Sequence, residues 1–323
     1  HDHEIPMYWW TNIAVDEGEG MRVVVPATVA KSWGYGGGGR DVTIPVYKDV
    51  DTTYSTDLPG IGDFYYGIPK EQRPWLAYLD QEGKGLMHAS TARLTGRKLF
   101  TWGMCEGGRH WQHFLTDDRP YIELQAGLIQ TQYETIPMAG GEDWDWIEAF
   151  GMIDVDGEAA HSKDWALAGK TVGDELDSVL PQDRLEKMLV ETRKMSETPA
   201  EDVVLRGSGW GELEGKRRKL AGDKPGFLPS IAFDESDLGP EQAPWVTLME
   251  TGTMPEVDLT NPPVTFMAQA EWQAMLEQAV AGPSAANWFA WYQLGTMQYK
   301  ADPEAARAAW EKSLELAPNA WAM

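Results

Sequence analysis

The sequence predicts a multidomain β + α protein, in which a β-rich first half gives way to an α-helical end. Three observations carry this. First, residues 1 to about 155 contain short runs that are β-branched or aromatic and bounded by Gly, Pro and Asp, such as Met21–Pro26, Val42–Tyr47 and Tyr121–Leu124. Second, the character changes near Asp156 to a polar and then helical stretch. Third, the last 60 or so residues repeat apolar side chains at helical spacing, as with Trp272, Met275, Leu276 and Ala279.

Element by element, this gives three parts. Residues 1–155 read as the β part. The four-glycine loop Gly36–Gly39 precedes no convincing helix and lacks a following GK[ST], so it reads as a flexible turn rather than a phosphate cradle. Residues 156–264 read as a helix and then a connector packing on the sheets. The helix places Leu185, Met188, Leu189, Thr192 and Met195 on one face, and residues 205–263 are Gly- and Pro-rich with Trp210 and Trp245 as anchors. Residues 265–323 read as helices over Phe266–Val280, Ala286–Tyr299 and Asp302–Ala317. Asp302 is placed to cap the last of these, Pro303 to fill its first position and Pro318 to stop it.

Charge excludes whole classes of partner. The 323 residues hold 27 Lys+Arg against 51 Asp+Glu, a formal charge of −24. A polyanion gains nothing from counterion release on nucleic acid, and an anionic membrane surface repels it. No run of about 18 apolar residues is present, so no transmembrane helix is expected. The HDHEIPMYWW start has no basic n-region followed by an apolar h-region, so it is not a signal peptide. The single cysteine, Cys105, excludes an internal disulfide and favours a reducing, cytoplasmic setting; an extracellular processed product is the alternative. A first residue that is His, and a last stretch that stops where a helical repeat would go on, predict a piece of a longer polypeptide. No cofactor motif is present. The His110 and His113 pair lacks an HExxH context or a cysteine partner, so no metal site is expected.

Tryptophan is overused, with 16 Trp against 8 Phe, spread evenly along the chain. The final helix pair places Trp291, Leu294 and Gly295 in a W-x2-L-G pattern and follows it with Ala306, Trp310 and Ser313. This pair resembles a tetratricopeptide repeat, one residue short of its usual period of about 34. Small Gly295 and Ala306 let the helices approach, with Trp291 and Trp310 as fillers of the groove between them. A lone repeat cannot bury its own face. A protein partner, or further repeats, is therefore implied.

Upstream, a longer series stands in order. It comprises Tyr8-Trp9-Trp10-Thr11-Asn12, Lys98-Leu99-Phe100-Thr101-Trp102-Gly103, Gly108-Arg109-His110-Trp111, Pro120 to Gly127 (PYIELQAG), Trp144 to Gly151, Arg206 to Gly211 and Ala243-Pro244-Trp245. The series resembles an uncharacterised bacterial domain found just upstream of tetratricopeptide repeats. That domain is in turn similar to the galactose-mutarotase-like group. The resemblance implies an antiparallel β-sandwich with a carbohydrate-binding concave face. Such a sandwich normally takes roughly 250 residues, and only about 155 precede the helices. The sandwich is therefore expected to be incomplete, its first strands supplied by a missing N-terminal segment or another copy of the chain.

Sugar sites combine aromatic faces with groups that bond hydroxyls. Tyr8, Trp10 and Asn12 fall on one face of a strand, with Trp9 on the other. In YIELQAG, Glu123 and Gln125 alternate with Ile122 and Leu124, which places the polar pair on one face. The family resemblance implies acid/base work by a Glu and a His at the anomeric oxygens, and here Glu123 and His88 are the candidates. Asp63, Arg109 and His110 complete the set of substrate-contacting candidates. Whether the protein catalyses anything is left open by the sequence. The functional expectation is a carbohydrate-active or carbohydrate-binding protein with a helical interaction tail. The alternative is a structural or assembly protein that uses the sandwich and the repeat for protein contacts alone.

Overall fold

The computed structural model describes residues 3–33, 39–224, 226–260, 263 and 265–322. Most of the four-glycine loop and His1 lie outside the described residues. The chain divides into two compact units, residues 1–193 and 194–323, a different division from the three parts drawn from composition.

The first unit is an antiparallel β-sandwich with a helical layer. Its strands are β1 (Ile5–Met7), β2 (Trp10–Asp16), β3 (Arg22–Val24), β4 (Val29–Trp33), β5 (Arg40–Thr43), β6 (Val46–Tyr47), β7 (Val50–Asp51), β8 (Gly62–Tyr66), β9 (Trp75–Leu79), β10 (Lys84–Ser90), β11 (Gly96–Thr101), β12 (Tyr121–Gly127), β13 (Ile136–Met138) and β14 (Glu148–Asp154). One sheet has six strands in the order β2-β12-β11-β8-β4-β5, and the other has four in the order β14-β10-β9-β3. Two small ribbons, β1-β13 and β6-β7, flank them.

The pleat decides which residues make the core. Ile122, Leu124, Leu99, Phe64, Tyr66 and Ala30 of the larger sheet meet Val23, Leu76 and Tyr78 of the smaller one in a single buried cluster. The other face of the smaller sheet, with Val24, Trp75, Ala77, Met87 and Ala89, packs on Ala168, Val172 and Leu176. Those last three form one stripe of a helix. Its helices among the described residues are α1 (Glu106–Thr116), α2 (Gly157–Ala160), α3 (Trp165–Val179) and α4 (Gln182–Ser196), the last of which runs across the unit boundary. Asp164 caps α3 by accepting from the Ala166 and Leu167 amides.

The reading of residues 1–155 as the β part does not include α1, which joins β11 to β12. It has no apolar stripe turned inward, because its buried residues are Gly108 and Gln112. Its apolar residues at helical spacing, Trp111, Phe114 and Leu115, are exposed, so the helix is not marked by a core-facing period. Cys105 is its N-cap, its sulfur accepting from the Gly108 amide at 3.3 Å.

A buried arginine ties the layers together. Arg22 on β3 is 1% exposed. It donates to Thr53 Oγ1 (3.0 Å), to the carbonyls of Ala160 (3.1 Å) and Ser162 (2.7 Å) around α2, and to Asp51 Oδ2 on β7 (3.3 Å). Its guanidinium also lies 5.3 Å from the Tyr54 ring centroid and 5.1 Å from that of Trp165.

The second unit is helical: α5 (Gly209–Ala221), α6 (Ala243–Thr251), α7 (Ala270–Ala281), α8 (Trp288–Gln298) and α9 (Pro303–Leu316). The reading of 205–263 as a connector is corrected, since α5 and α6 lie within it. Gly209, Gly211 and Gly215 in α5 and Pro244 at the start of α6 imitate loop composition. Both helices contribute to a core in which Leu213, Trp245 and Leu248 pack with Trp272, Leu276, Phe289 and Leu294. Trp245 meets Trp272 edge-on at 5.8 Å. Asn287 caps α8 by accepting from the Ala290 amide, and Asp302 caps α9 by accepting from the Ala305 amide. Trp310 lies against Gly295, where an added Cβ would come within 2.6 Å of its ring, and donates to Tyr292 O at 3.2 Å. Trp291 instead turns its indole N–H back to Ala285 O.

Replacing Arg22 by Ala strands Asp51 and two carbonyls. It should cost roughly 3–5 kcal/mol in urea denaturation. Lys31→Ala, which removes an exposed pair with Asp41, should stay within about 0.5 kcal/mol.

Candidate functional site

The outward face of the six-stranded sheet gathers a group of polar and aromatic side chains. Strand register sets the positions. Asn12, Gln125, Lys98, Tyr65 and Lys31 form one cross-strand row. Ala14, Glu123, Phe100, Asp63 and Trp33 form the next. Since Ile122 and Leu124 point into the core, Glu123 and Gln125 point outward.

A chain of hydrogen bonds joins the polar groups. Gln125 Nε2 donates to Glu123 Oε2 at 2.7 Å, and Gln132 Nε2 donates to Gln125 Oε1 at 2.7 Å. Gln132 Oε1 accepts from Lys98 Nζ at 2.7 Å and from the Tyr65 hydroxyl at 3.0 Å. Lys98 Nζ in turn lies 2.6 Å from Asp63 Oδ1. Lys98 is only 5% exposed, with its ammonium 4.9 Å from the Tyr65 ring centroid and 5.6 Å from that of Phe100. Burial, followed by the Asp63 carboxylate and the Tyr133 and Tyr8 hydroxyls, raises the Tyr65 hydroxyl well above the ordinary phenol range. Tyr65 therefore remains a donor.

Aromatic rings stand at both ends of this strip. At one end Trp10 lies over Gly127 and Gly96. An added Cβ would come within 2.2 Å of the Trp10 ring at the first and 3.0 Å at the second. Gly127 clears the sheet for the indole, whereas at Gly96 the Ile129 carbonyl, 2.1 Å from an added Cβ, is the nearer neighbour. Trp10 meets Tyr65 edge-on at 5.9 Å, Trp33 meets Tyr65 at 5.3 Å, and Tyr133 stacks on Trp33 at 4.7 Å. At the other end Phe100 meets Trp102 edge-on at 4.9 Å, and Trp102 meets Tyr121 at 6.2 Å. Among the described residues, Trp10 Nε1 and Trp102 Nε1 are buried donors with no acceptor.

The structure thus brings Trp10, Asn12, Asp63, Glu123 and Gln125 to one face. Tyr8 is half-exposed and close enough to act on the Tyr65 hydroxyl. Trp9 turns the other way and packs on Trp146 at 4.8 Å.

His88 is not among them. It sits on β10 of the smaller sheet, opposite Leu76 and Phe150 in register, and is 1% exposed. Its Nε2 is 3.0 Å from Glu148 Oε2, and its ring stacks on Phe150 at 4.4 Å. The pairing of Glu123 with His88 expected from the sequence is therefore corrected: the two belong to different sheets, and the carboxylate beside His88 is Glu148. The reading failed because a turn-flanked His in a β region carries no sign of which sheet its strand joins.

Arg109 and His110 ride on α1. Arg109 donates to Glu17 Oε2 (2.8 Å) and Gln112 Oε1 (2.6 Å), which docks the helix, and His110 is exposed. Among the described residues, no group of three or more His, Cys, Asp or Glu is arranged to hold a metal ion.

Sequence reasoning missed Lys98, Tyr65, Gln132, Trp33, Tyr133 and Phe100. The alternation of Lys98 and Phe100 about Leu99 was a usable signal. Gln132 and Tyr133 come from the loop after β12, and no periodicity marks them. A cleft of about 470 Å³ against α3, lined by Trp75, Trp165, Lys170 and Asp174 among others, shares none of the face's residues. A smaller one of about 260 Å³ borders the face at Trp33 and Gly62.

Two measurements check this geometry. Gly127→Ala should displace the Trp10 indole, cost about 1–3 kcal/mol and change the near-UV circular dichroism. Burial holds His88 below the ordinary imidazole range despite its bond to Glu148. The unfolded chain therefore takes up the proton first. His88 contributes stability that is complete above the unfolded pKa of about 6.5 and is lost as pH falls towards the lower folded value. His88→Gln should flatten the fall in stability between about pH 7 and 5, read from denaturation midpoints at each pH.

Two solved structures are similar to this chain. A TPR-domain containing protein from Parabacteroides distasonis matches at 14% identity with a TM-score of 0.47, over 98% of this chain and 49% of that one. A galactose mutarotase-like protein from Clostridium acetobutylicum matches at 9% identity with a TM-score of 0.34, over 47% of this chain and 49% of that one. The chain spans about half the length of each of these proteins. In sequence, the family match ends before Trp144–Gly151, Arg206–Gly211 and Ala243–Trp245, which the motif series included. Residues 2–139 match the family described as a domain of unknown function (DUF5107), a stretch that contains every strand of the six-stranded sheet.

Proposed function

We propose that the outward face of the six-stranded sheet binds a carbohydrate. One observation carries the reading: a hydrogen-bonded polar strip from Glu123 to Asp63 lies between two groups of aromatic rings. A sugar ring has apolar C–H faces and a rim of hydroxyls. Aromatic side chains match the faces, and fixed carboxylate, amide and ammonium groups match the rim. The strip is preorganised, because each amide is oriented by its neighbour, so little side-chain entropy is lost on binding.

In this reading Trp10 and Tyr8 stack on the sugar, Glu123 and Asp63 accept from its hydroxyls, and Gln125 and Asn12 adjust to them. His88 plays no part, since it lies on the other sheet. Binding is therefore supported better than acid/base work by a Glu123–His88 pair. Arg109 serves to dock α1. The helical unit, with its tetratricopeptide-like pair α8 and α9, is the part we assign to protein contacts.

Isothermal titration with a panel of neutral sugars tests the reading. Binding is expected. Glu123→Gln should weaken it by roughly tenfold or more, the loss expected for a charge-assisted hydrogen bond, and Trp10→Ala by about threefold to tenfold, the worth of an aromatic contact. Absence of heat and of thermal stabilisation with every sugar would refute it. Exchange spectroscopy on the anomeric protons separates the roles. Unchanged interconversion with bound protein marks a binder, and acceleration lost in Glu123→Gln marks an enzyme.

A further inference from the structure

The helix α1 is anchored by polar contacts and turns its large apolar side chains outward. Arg109 is held by Glu17, Gln112 Nε2 donates to Tyr121 O at 3.1 Å, and Cys105 caps the start. Meanwhile Trp111 is 44% exposed and Phe114 72%. A helix normally buries such residues. Here they continue a line of rings that starts on the sheet. Phe100 stands in register between Glu123 and Asp63. From it the centroid steps are 4.9 Å to Trp102, 6.4 Å to Trp111 and 5.9 Å to Phe114. Trp102 and Trp111 lie nearly parallel, at 20°, while the Phe100–Trp102 and Trp111–Phe114 steps are edge-on, at 85° and 83°.

We infer that this line is a track for a linear oligosaccharide, so that the ligand is a glycan chain rather than a single sugar. The inference rests on the carbohydrate reading of the sheet face and adds its length and direction. The sugar at the Glu123–Asp63 strip is followed by units lying over Trp102, Trp111 and Phe114. Each ring step is comparable to the advance of one pyranose along an extended chain. His110 is exposed and lies four residues before Phe114, on the same side of α1, where it can meet a hydroxyl rim. A lipid surface is disfavoured by the net charge of −24. A protein partner seated on Trp111 and Phe114 would show no dependence on sugar length.

The test is titration with linear oligosaccharides of one to six units in several linkages: β-1,4-glucan, β-1,4-xylan, β-1,3-glucan and α-1,4-glucan. In the series that binds, affinity should rise about threefold to tenfold per added unit over the first few units, the worth of an aromatic contact, and then level off. Trp111→Ala and Phe114→Ala should collapse the ratio of long-chain to single-sugar affinity. Trp10→Ala should weaken every length alike. Equal affinity at all lengths, or an unaltered ratio in both α1 variants, overturns the track while leaving the sugar-binding face intact. Binding of no sugar at any length overturns the face and the track together.

Discussion

The pleat of the six-stranded sheet is the constraint from which the rest follows. Successive side chains of a strand must point to opposite faces. Once Ile122, Leu124, Leu99 and Phe64 are committed to the core, Glu123, Gln125, Lys98, Phe100, Asp63 and Tyr65 have no choice but the other face. A one-residue slip of any strand would exchange the two sets. The hydrophobic core therefore fixes the register, and the register fixes the polar strip. The candidate site is a consequence of packing on its far side.

Burying polar groups at such a face is costly unless they are satisfied. Lys98 meets this cost through Asp63, Gln132 and two aromatic rings, and the strip is continuous because each member satisfies the next. The same logic explains Arg22, whose guanidinium is buried among Thr53, two carbonyls and Asp51. One arrangement holds the layers, and the other lines the outward face of the six-stranded sheet. The difference lies in what remains beyond the network. Among the described residues Trp10 Nε1 and Trp102 Nε1 have no hydrogen-bond acceptor, and Trp111 and Phe114 of α1 keep much of their ring surface exposed, whereas Arg22 is enclosed.

Much of this was legible in advance. The alternation in YIELQAG placed Glu123 and Gln125 together, and Tyr8, Trp10 and Asn12 were grouped by the same period of two. The final helices, with Asp302 as cap and Gly295 against Trp310, follow from local signals of capping and residue size. Other features were hidden for definable reasons. The helix α1 buries a glycine and a glutamine and turns its apolar stripe of Trp111, Phe114 and Leu115 outward, the reverse of the pattern by which a packed helix is read. The helices α5 and α6 contain glycines and a proline that imitate a linker, and their stability comes from Trp245 and Leu213 meeting α7 and α8.

The sequence by itself determined the local rules: which residues alternate, where helices cap, where small residues admit large neighbours, and that a charge of −24 disfavours polyanionic partners. Only the tertiary structure decided which strands become neighbours. Sheet order is non-local: β12 lies between β2 and β11, and β8 joins β11 to β4. That order brought Asp63 and Lys98 to Glu123. It also sent His88 to the other sheet, where Glu148 and Phe150 hold it. Strand pairing depends on contacts between distant parts of the chain, and no window of sequence contains both partners.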